Sequence, residues 1–287
     1  MPRIEQAYQH CQSIAARHYE NFPVASRLLP KKLRRPISVI YTFARTADDF
    51  ADEGALSKAQ RHQKLDDYAN KLAAIARGET LDNPVFIALA DVIKNHALPL
   101  SLFHDLLTAF KMDVDKTRFA DFAEVLDYCH YSANPVGRLL LHLHGAATPE
   151  NLSQSDAVCS ALQLINFYQD LEQDYHEHNR IYLPQDEMRQ FGVTEDHIEQ
   201  ARSDEAMQAL MNFQFQRAAS MMQQGYALGN ILSGRFGLEL RMIIQGGACV
   251  LGKLQKHDGN VFRRPRLNRW DAVRIVAGAL LRVSVLK

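Results

Sequence analysis

The sequence has few cysteines and few of the residues that end helices, and each shortage excludes a class of protein. Its four cysteines lie far apart and form no C-x-x-C pair, which excludes a disulfide scaffold and a zinc ribbon and favours a reducing compartment. It has only 14 glycines and 10 prolines in 287 residues. That share is about 8% against a usual ~12%, which indicates a helical chain.

Long apolar runs and an excess of one charge are also missing. No apolar run follows the first charged residues and none reaches about 18 residues, so we expect neither a signal peptide nor a transmembrane helix. Thirty-three basic residues balance 33 acidic ones, which argues against nucleic acid as a partner held by bulk charge. With 47% apolar residues the chain can bury a large core, and we expect a globular cytoplasmic protein.

Proline and glycine divide the chain into long helical patterns, and no segment is a convincing strand. We predict one all-α domain over residues 1–287, with a loop over 179–193. Asn134-Pro135 is expected to break the helical pattern. The predicted helices cover residues 3–19, 36–52, 57–77, 84–96, 99–111, 119–131, 135–144, 153 or 155 to 176, a short helix from 194, 204–232, 234–256 and a terminal helix from 270.

Two segments carry acidic residues at helical spacing. In the first, Asp48 and Asp52 fall within roughly 40° of each other at about 100° per residue, and Arg45 lies on the same side. The second carries a polar stripe along three turns of a helix, formed by Gln163, Asn166, Asp170 and Asp174. Asp49 points about 100° away from Asp48, so we expect it to form an ion pair and not to bind a metal.

This spacing suggests a role for a divalent cation. Two carboxylates one turn apart repel each other unless a positive charge lies between them. Mg²⁺ typically takes one or two carboxylates together with phosphate oxygens. Two such pairs on separate helices could hold two or three ions and neutralise a departing diphosphate. The alternative, that both pairs are surface acids beside lysine or arginine, stays open.

Several motifs together resemble the squalene and phytoene synthase family, the all-helical head-to-head prenyltransferases. The two aspartate motifs of that family are matched by Asp48–Asp52 and Asp170–Asp174, and its tyrosine–cysteine signature by Tyr128–Tyr131. Arg180–Pro184 is similar to the family segment after the second motif, so the resemblance extends from His18 to about Pro184. It implies an all-α, single-domain isoprenoid-synthase-type helical bundle around a central cavity.

Two departures from the family pattern favour one branch. Members that condense two prenyl diphosphates commonly carry Ala-Gly after the tyrosine–cysteine motif and an arginine just before the second aspartate motif. This chain has Ser132-Ala133-Asn134-Pro135 and Gln169 there. Residues 132–139 and 21–26 resemble the hydroxysqualene synthase branch of bacterial hopanoid pathways. That branch ionises presqualene diphosphate with Mg²⁺ and captures water to give hydroxysqualene; it uses no nicotinamide and leaves squalene to a separate reductase.

The resemblance also implies roles for individual residues. The magnesium ligands, for two or three ions, are Asp48, Asp52, Asp170 and Asp174. Tyr128 and Arg45 are the catalytic candidates. Substrate-binding candidates are His18, Asn21, Tyr41, Gln163, Asn166 and Arg180, with Arg263 and Arg264 as further diphosphate contacts. Two alternatives stay open: Tyr128 as a core side chain and His18 as a surface residue.

Other residues are assigned by their proximity to the motifs. Phe22, Phe43, Phe50 and Leu139–Leu141 are predicted to line an apolar pocket for a chain of roughly thirty carbons. Asn134, Tyr131 and Gln169 are the polar departures that could orient the quenching water. His142 and His144, two residues apart on a helix, are expected to be structural, and His176 and His178 to be solvated.

Two other functions remain as alternatives. A squalene, dehydrosqualene or phytoene synthase would use the same aspartates, so only the departures at 132–135 and 169 argue against it. A non-catalytic assembly factor of this fold would have no reason to keep both aspartate pairs in register with Arg45, Gln163 and Asn166. The terminal segment Ala272–Val283 combines apolar residues with two arginines. It either lies on the inner face of a membrane or closes the bundle.

Overall fold

A computed structural model of the chain describes residues 3–17, 30–256 and 259–282. Within these ranges the chain is helical apart from one short pair of strands, so the predicted all-α class is confirmed. The chain forms two compact units: unit 1 comprises Met1–Asp115 and Pro135–Thr148, and unit 2 comprises Lys116–Asn134 and Pro149–Lys287. The prediction of one domain over the whole chain stays a prediction. None of the described helices is long and apolar enough to span a bilayer.

The described elements follow one another in a nearly unbroken series of helices. They are α1 (Arg3–Arg17), α2 (Lys31–Asp52), α3 (Lys58–Ala76), α4 (Pro84–His96), α5 (Leu100–Asp115), β1 (Arg118–Phe119), α6 (Phe122–Ser132), α7 (Asn134–His144), α8 (Pro149–Gln169), α9 (Leu171–His178), β2 (Ile181–Pro184), α10 (Gln185–Phe191), α11 (Glu195–Glu199), α12 (Glu205–Gly225), α13 (Leu228–Ile231), α14 (Gly234–Gln255) and α15 (Arg269–Leu281). The predicted break at Asn134-Pro135 is confirmed, because α6 ends and α7 begins there.

Unit 1 is held together by an aromatic core on which α2 packs. The Phe43 ring lies 5.4 Å from the Phe103 ring and 5.9 Å from the Phe86 ring, both edge to face, and 5.6 Å from the Tyr68 ring. Phe43 is therefore a core residue of unit 1, and its predicted place in a pocket wall is wrong. Phe50 packs its edge on Tyr68 at 4.9 Å. This packing fixes the rotation of α2 and thus the direction of its acidic side chains.

Several helix boundaries differ from the prediction for reasons of local chemistry. Helix α2 begins at Lys31 because Pro30 precedes it, and Pro36 lies inside the helix, where it leaves one backbone hydrogen bond unmade. Helix α8 begins at Pro149 and not at a serine cap, since proline suits the first helical position. The predicted helix over 204–232 ends at Gly225, and α13 is a separate short turn.

The prediction of no strands and of a loop over 179–193 is wrong. Strands β1 and β2 pair in parallel, with Arg118 opposite Ile181, and α10 follows β2 directly. All four residues of β2 are buried, so the strand shows no alternation of polar and apolar residues. A strand this short and this buried has no periodicity from which it can be predicted.

In unit 2, α12 packs closely along α8. Gly225 marks the point of approach, because a Cβ atom there would lie 2.3 Å from the carbonyl oxygen of Gln154 and 2.5 Å from Val158 Cγ2. Only glycine permits this separation. The close packing fixes the helix that leads into the second aspartate motif.

Candidate active site

The first acidic pair lies at the C-terminal end of α2 in unit 1. Asp48 and Asp52 are half-buried, as expected for side chains at the rim of a core. Arg45 lies among the acids of this helix: its Nη1 is 3.3 Å from Asp48 Oδ2 and its Nε is 2.7 Å from Asp49 Oδ1, and it also contacts Glu53. The predicted ion-pair role of Asp49 is confirmed. Arg45 therefore serves as the counter-ion of this acidic helix end.

The end of α2 is fixed by an arginine that the sequence analysis missed. Arg61 on α3 donates from Nη1 to the carbonyl oxygens of Phe50 (3.0 Å) and Glu53 (3.1 Å) and from Nη2 to that of Gly54 (2.9 Å). These bonds satisfy carbonyls that a helix end leaves without partners. The sequence signal for this role was a basic residue a few positions after Gly54, where α2 was predicted to end. Tyr41, one turn before Arg45, is half-buried on α2.

The second acidic pair lies where α8 passes into α9 in unit 2. The predicted continuous helix is interrupted at Asp170 (φ −110°, ψ 12°). The helical bonds nevertheless continue, from Asp170 N to Asn166 O at 2.9 Å and from Asp174 N to Asp170 O at 2.8 Å. The interruption therefore preserves the spacing of the stripe. Gln163 is half-buried on α8 and Asn166 is exposed one turn before Asp170.

Both carboxylates of this pair are electrostatically unfavourable in their charged form. Burial and then the negative charge of Asp170 raise the pKa of Asp174 to about 7, against the opposing charges of Arg180 and Arg264. Burial also raises the pKa of Asp170, and Arg264 opposes that rise. A carboxyl group with a perturbed pKa beside a second carboxyl group is typical of a functional site.

Two arginines contribute positive charge to the second pair. Arg264 Nε lies 2.6 Å from Asp170 Oδ1. Arg180 is buried, its charge lowers the pKa of Asp174, and its backbone N–H donates to the Asp174 carbonyl oxygen at 3.1 Å. The sequence analysis named both arginines, and unit 2 brings both to the Asp170–Asp174 pair.

Gln169 has a role that the sequence analysis did not foresee. Its Nε2 donates to the carbonyl oxygen of Pro265 at 2.8 Å. The contact joins the end of α8 to residues 263–266, a separation of 96 positions along the chain. Gln169 therefore holds in place the segment from which Arg264 reaches Asp170.

Tyr128 lies in a buried cluster of aromatic rings in unit 2. Its ring centroid is 5.7 Å from Phe119, 6.0 Å from Phe167 and 5.6 Å from Tyr182, and the rings of Phe167 and Tyr182 stack at 3.6 Å. This packing gives weight to the alternative that Tyr128 is a core side chain. Its catalytic role stays a prediction. The cluster partners were missed because they come from β1, α8 and β2, far apart in sequence.

The remaining predicted residues have mixed outcomes. Asn134 is buried and its Oδ1 accepts from Ser160 Oγ at 3.0 Å, which binds it to α8; its suggested role in orienting water stays a prediction. His176 and His178 are exposed, as predicted. Burial lowers the pKa of His142 and His144, which favours the neutral, structural imidazoles that were predicted. His18, Asn21 and Phe22 lie outside the described residues.

The acidic residues fit a magnesium ion that is shared with a substrate. No group of three or more His, Cys, Asp or Glu side chains among residues 3–17, 30–256 and 259–282 forms a complete metal site. Mg²⁺, however, commonly takes only one or two carboxylates and completes its shell with phosphate oxygens and water. The raised pKa of Asp174 beside Asp170 is the feature that a bound dication would relieve. The pair therefore suits a metal that arrives with a diphosphate.

Comparison with known proteins places these features in a family. The sequence model of squalene/phytoene synthases matches residues 15–271. The hydroxysqualene synthase of Rhodopseudomonas palustris is 38% identical, over 83% of this chain and 80% of its own length. The phytoene synthase of Mycobacterium tuberculosis is 32% identical, over 79% and 75%.

Solved structures agree in fold. The squalene synthase HpnC of Alicyclobacillus acidocaldarius superposes with a TM-score of 0.83 at 33% identity, over 90% of this chain and 96% of its own. A dehydrosqualene synthase, at 22% identity and a TM-score of 0.85 over 97% of each chain, supports the fold alone. The predicted isoprenoid-synthase-type helical fold is confirmed. The chain therefore belongs to the squalene/phytoene synthase family and is an enzyme of the prenyltransferase type.

Proposed function

We propose that this enzyme converts presqualene diphosphate into hydroxysqualene and diphosphate, with Mg²⁺ and without nicotinamide. The family handles prenyl diphosphates. Two relatives named hydroxysqualene synthase, at 38% and 35% identity, support the assignment to this branch. The observation that carries the proposal is the neutral side chain of Gln169, whose amide nitrogen donates a hydrogen bond to the Pro265 carbonyl oxygen.

The reason is a count of charges. A synthase that condenses two prenyl diphosphates must neutralise two diphosphate groups, and such family members commonly carry an arginine at this position. The chain offers Arg180 and Arg264 at the second acidic pair, and a glutamine in place of the further arginine. A substrate with a single diphosphate needs less positive charge.

In the proposed reaction, the chain's own residues bind the diphosphate and control its departure. Asp48, Asp52, Asp170 and Asp174 would hold two or three Mg²⁺ ions, which would supply the positive charge that stabilises the leaving group. Arg45 and Arg264, now paired with carboxylates, exchange those partners for diphosphate oxygens. His18, Asn21, Tyr41, Gln163, Asn166 and Arg180 complete substrate binding, and Tyr128 lies near the departing diphosphate.

The proposed reaction needs no reductant. The carbon–oxygen bond to diphosphate breaks with both electrons on oxygen, and the resulting cation rearranges. A water oxygen then bonds to carbon and loses its proton, which gives an alcohol. Because no hydride is transferred, we expect a separate reductase to complete squalene. Peripheral contact with a membrane is part of this proposal, since the substrate is a lipid of about thirty carbons.

The second candidate function is the condensation of two prenyl diphosphates. The mycobacterial phytoene synthase at 32% identity favours keeping it, and the acidic pairs would serve it equally well. A non-catalytic binding factor is the third candidate. It would account for the fold but not for the raised pKa of Asp174 beside Asp170.

Product analysis with purified protein distinguishes the three candidates. The protein is incubated without oxygen, with Mg²⁺ and no nicotinamide, and offered farnesyl diphosphate and presqualene diphosphate separately. A C30 alcohol from presqualene diphosphate, with farnesyl diphosphate untouched, is the expected result. Consumption of farnesyl diphosphate would assign the condensing function. If the folded protein converts neither substrate, the non-catalytic binding factor is the remaining candidate.

Variants connect the result to the site. Asp170→Asn is expected to lower kcat by about a hundredfold or more, because it removes a proposed ligand of the Mg²⁺ that stabilises the departing diphosphate. The matched control is Asp196→Asn, an exposed aspartate of unit 2 on α11. The control is expected to retain full activity.

A further inference from the structure

Helix α15 has one face fixed to the protein and an opposite face open to solvent. Asp271, Ile275 and Ala279 are buried against α14. Lys253 Nζ on α14 lies 2.6 Å from Asp271 Oδ2, and Arg241 Nε donates to the Ala279 carbonyl oxygen at 2.7 Å. These polar contacts hold the helix at both ends. Its rotation is therefore set, and the residues on its outer side are presented in a fixed arrangement.

The outer side consists of large apolar side chains. Trp270 is 78% exposed, Val273 59%, Leu280 62% and Leu281 73%. At about 100° per residue these four lie within a sector of roughly 100°, opposite the buried face. We call them the α15 ridge. Single exposed apolar residues are ordinary, but four on one face of one helix, including a tryptophan, mark an interaction surface.

Four exposed arginines border the α15 ridge along the chain. Arg269 and Arg274 flank it on either side of the helix, Arg266 precedes it and Arg282 follows it, and all four are exposed. None of these four arginines forms an ion pair with a residue in the described part of the chain. Asp271 is the only acid between residues 260 and 282, and it is buried against Lys253. Helix α15 thus combines an apolar ridge with four arginines at its border.

We propose that the α15 ridge docks the protein on an anionic lipid bilayer. An interfacial helix inserts leucine, valine and tryptophan to a depth of about 5–10 Å, while its arginines reach the lipid phosphates. Tryptophan in particular favours the boundary between lipid and water. A nucleic acid would use the arginines but not the four apolar side chains. A second copy of this chain would place cationic borders against each other, which is unfavourable.

The single tryptophan of the chain makes this surface directly observable. Trp270 emission is recorded while the protein is titrated with vesicles of phosphatidylcholine alone or with 40% phosphatidylglycerol. We expect a saturable blue shift with the anionic vesicles, quenching by brominated lipid, and loss of binding in 0.5 M NaCl as the charges are screened. Vesicles of phosphatidylcholine alone are expected to bind at least tenfold more weakly. No substrate is present, so the outcome is independent of the proposed reaction.

Variants assign the binding to the ridge. Val273→Ser with Leu280→Ser is expected to weaken vesicle affinity about tenfold, because two inserting side chains are lost. Arg269→Gln with Arg274→Gln is expected to weaken it by about fivefold for each arginine. The matched control is Phe213→Ser, an apolar residue of α12 that is 40% exposed, and it should leave binding unchanged.

Four results would overturn the proposal. They are unchanged emission with anionic vesicles, equal binding to neutral vesicles, ridge variants that bind like the unmodified protein, and a blue shift that grows with protein concentration without lipid. The last would identify a second copy as the partner. The lipid and salt comparisons use the unmodified protein, so they decide the matter even where a variant folds poorly.

Discussion

The carboxyl group of Asp174 is held in an environment that opposes its charge. Burial and the neighbouring Asp170 raise its pKa to about 7, whereas an aspartate in an unfolded chain titrates near 3.8. The folded protein therefore binds this proton more tightly than the unfolded chain does. The free energy of unfolding consequently falls as the pH rises from about 4 to 7, and the whole cost is present above pH 7. Such a cost is expected where a residue is kept for function and not for stability.

Asp174→Asn should stabilise the metal-free protein. Without Mg²⁺ at pH 8, we expect its Tm to exceed that of the unmodified protein by a few degrees, because the buried charge is gone. The difference should shrink as the pH falls to 4 and below, where the carboxyl group of the unfolded chain also takes up the proton. Thermal unfolding monitored by circular dichroism measures it. Glu172→Gln, an exposed acid on the same helix, is the control. An Asn variant less stable than the unmodified protein at pH 8 would contradict this account.

Gln169 affects function through the position of another residue. Gln169→Leu removes the hydrogen bond to the Pro265 carbonyl oxygen, and we expect kcat/KM to fall about 2- to 10-fold, the effect of one such bond. Gln173→Leu, with its exposed side chain on the next turn, should leave kcat/KM unchanged. Steady-state kinetics with presqualene diphosphate measure both.

Gln169→Arg tests the connection to product choice. It introduces the positive charge that family members condensing two prenyl diphosphates commonly carry at this position. We expect it to alter the partition of products, which chromatography of the extracted lipids would show. If Gln169→Arg leaves both rate and products unchanged, position 169 does not distinguish the two branches.

At the scale of secondary structure, α10 carries a buried polar network that joins it to α12 and α8. Arg217 Nη2 lies 2.6 Å from Glu187 Oε1, Gln214 Nε2 donates to Glu187 Oε2 at 2.5 Å, and Tyr168 donates to Gln214 Oε1 at 3.1 Å. The Arg217 guanidinium also lies 3.7 Å over the ring of Phe122. This network fixes the helix that precedes the second aspartate motif.

Glu187→Ala should destabilise the protein strongly. It leaves the largely buried Arg217 without its carboxylate, and the expected loss in the free energy of unfolding is about 3 kcal/mol. Glu199→Ala, at an exposed position of α11, should cost less than about 0.5 kcal/mol. Urea unfolding monitored by circular dichroism compares the two. Equal midpoints would show that the network contributes nothing to stability.

At the scale of the whole molecule, each compact unit carries one acidic pair. Asp48 and Asp52 belong to unit 1, and Asp170 and Asp174 belong to unit 2. Each unit also supplies arginines beside its pair, Arg45 in the first and Arg180 and Arg264 in the second. The proposed function assigns metal ligands to both pairs, and variants of each pair test that assignment separately.

Mg²⁺ together with inorganic diphosphate should raise the Tm. At a hundredfold excess over Kd the stabilisation is about 2.7 kcal/mol, or roughly 5 °C or more, and either component alone should give much less. Asp52→Asn in unit 1 and Asp170→Asn in unit 2 should each remove most of the increase. Asp67→Asn, an exposed residue of α3, should retain it. An increase that survives in either active-site variant would exclude that pair from the site.

Much of the candidate site was readable from sequence because it consists of local patterns. The i,i+4 spacing of Asp48 with Asp52 and of Asp170 with Asp174 is a property of a helix and needs no tertiary contact. The helical class, the break at Asn134-Pro135 and the expectation that Asp49 forms an ion pair followed in the same way. The strand β2 and the aromatic cluster around Tyr128 could not be predicted from local patterns, because their partners are distant in sequence.

The sequence by itself determined the helical class, the family and the two acidic pairs, since composition and short-range spacing carry that information. Only the tertiary structure decided which charges act on Asp170 and Asp174. Arg264 reaches Asp170 across 94 residues of chain because Gln169 binds Pro265, and burial raises the pKa of Asp174. Likewise, the sequence left the terminal helix between two roles, and packing against α14 decided which of its faces is open to solvent. Long-range contacts and burial arise only when the chain has folded.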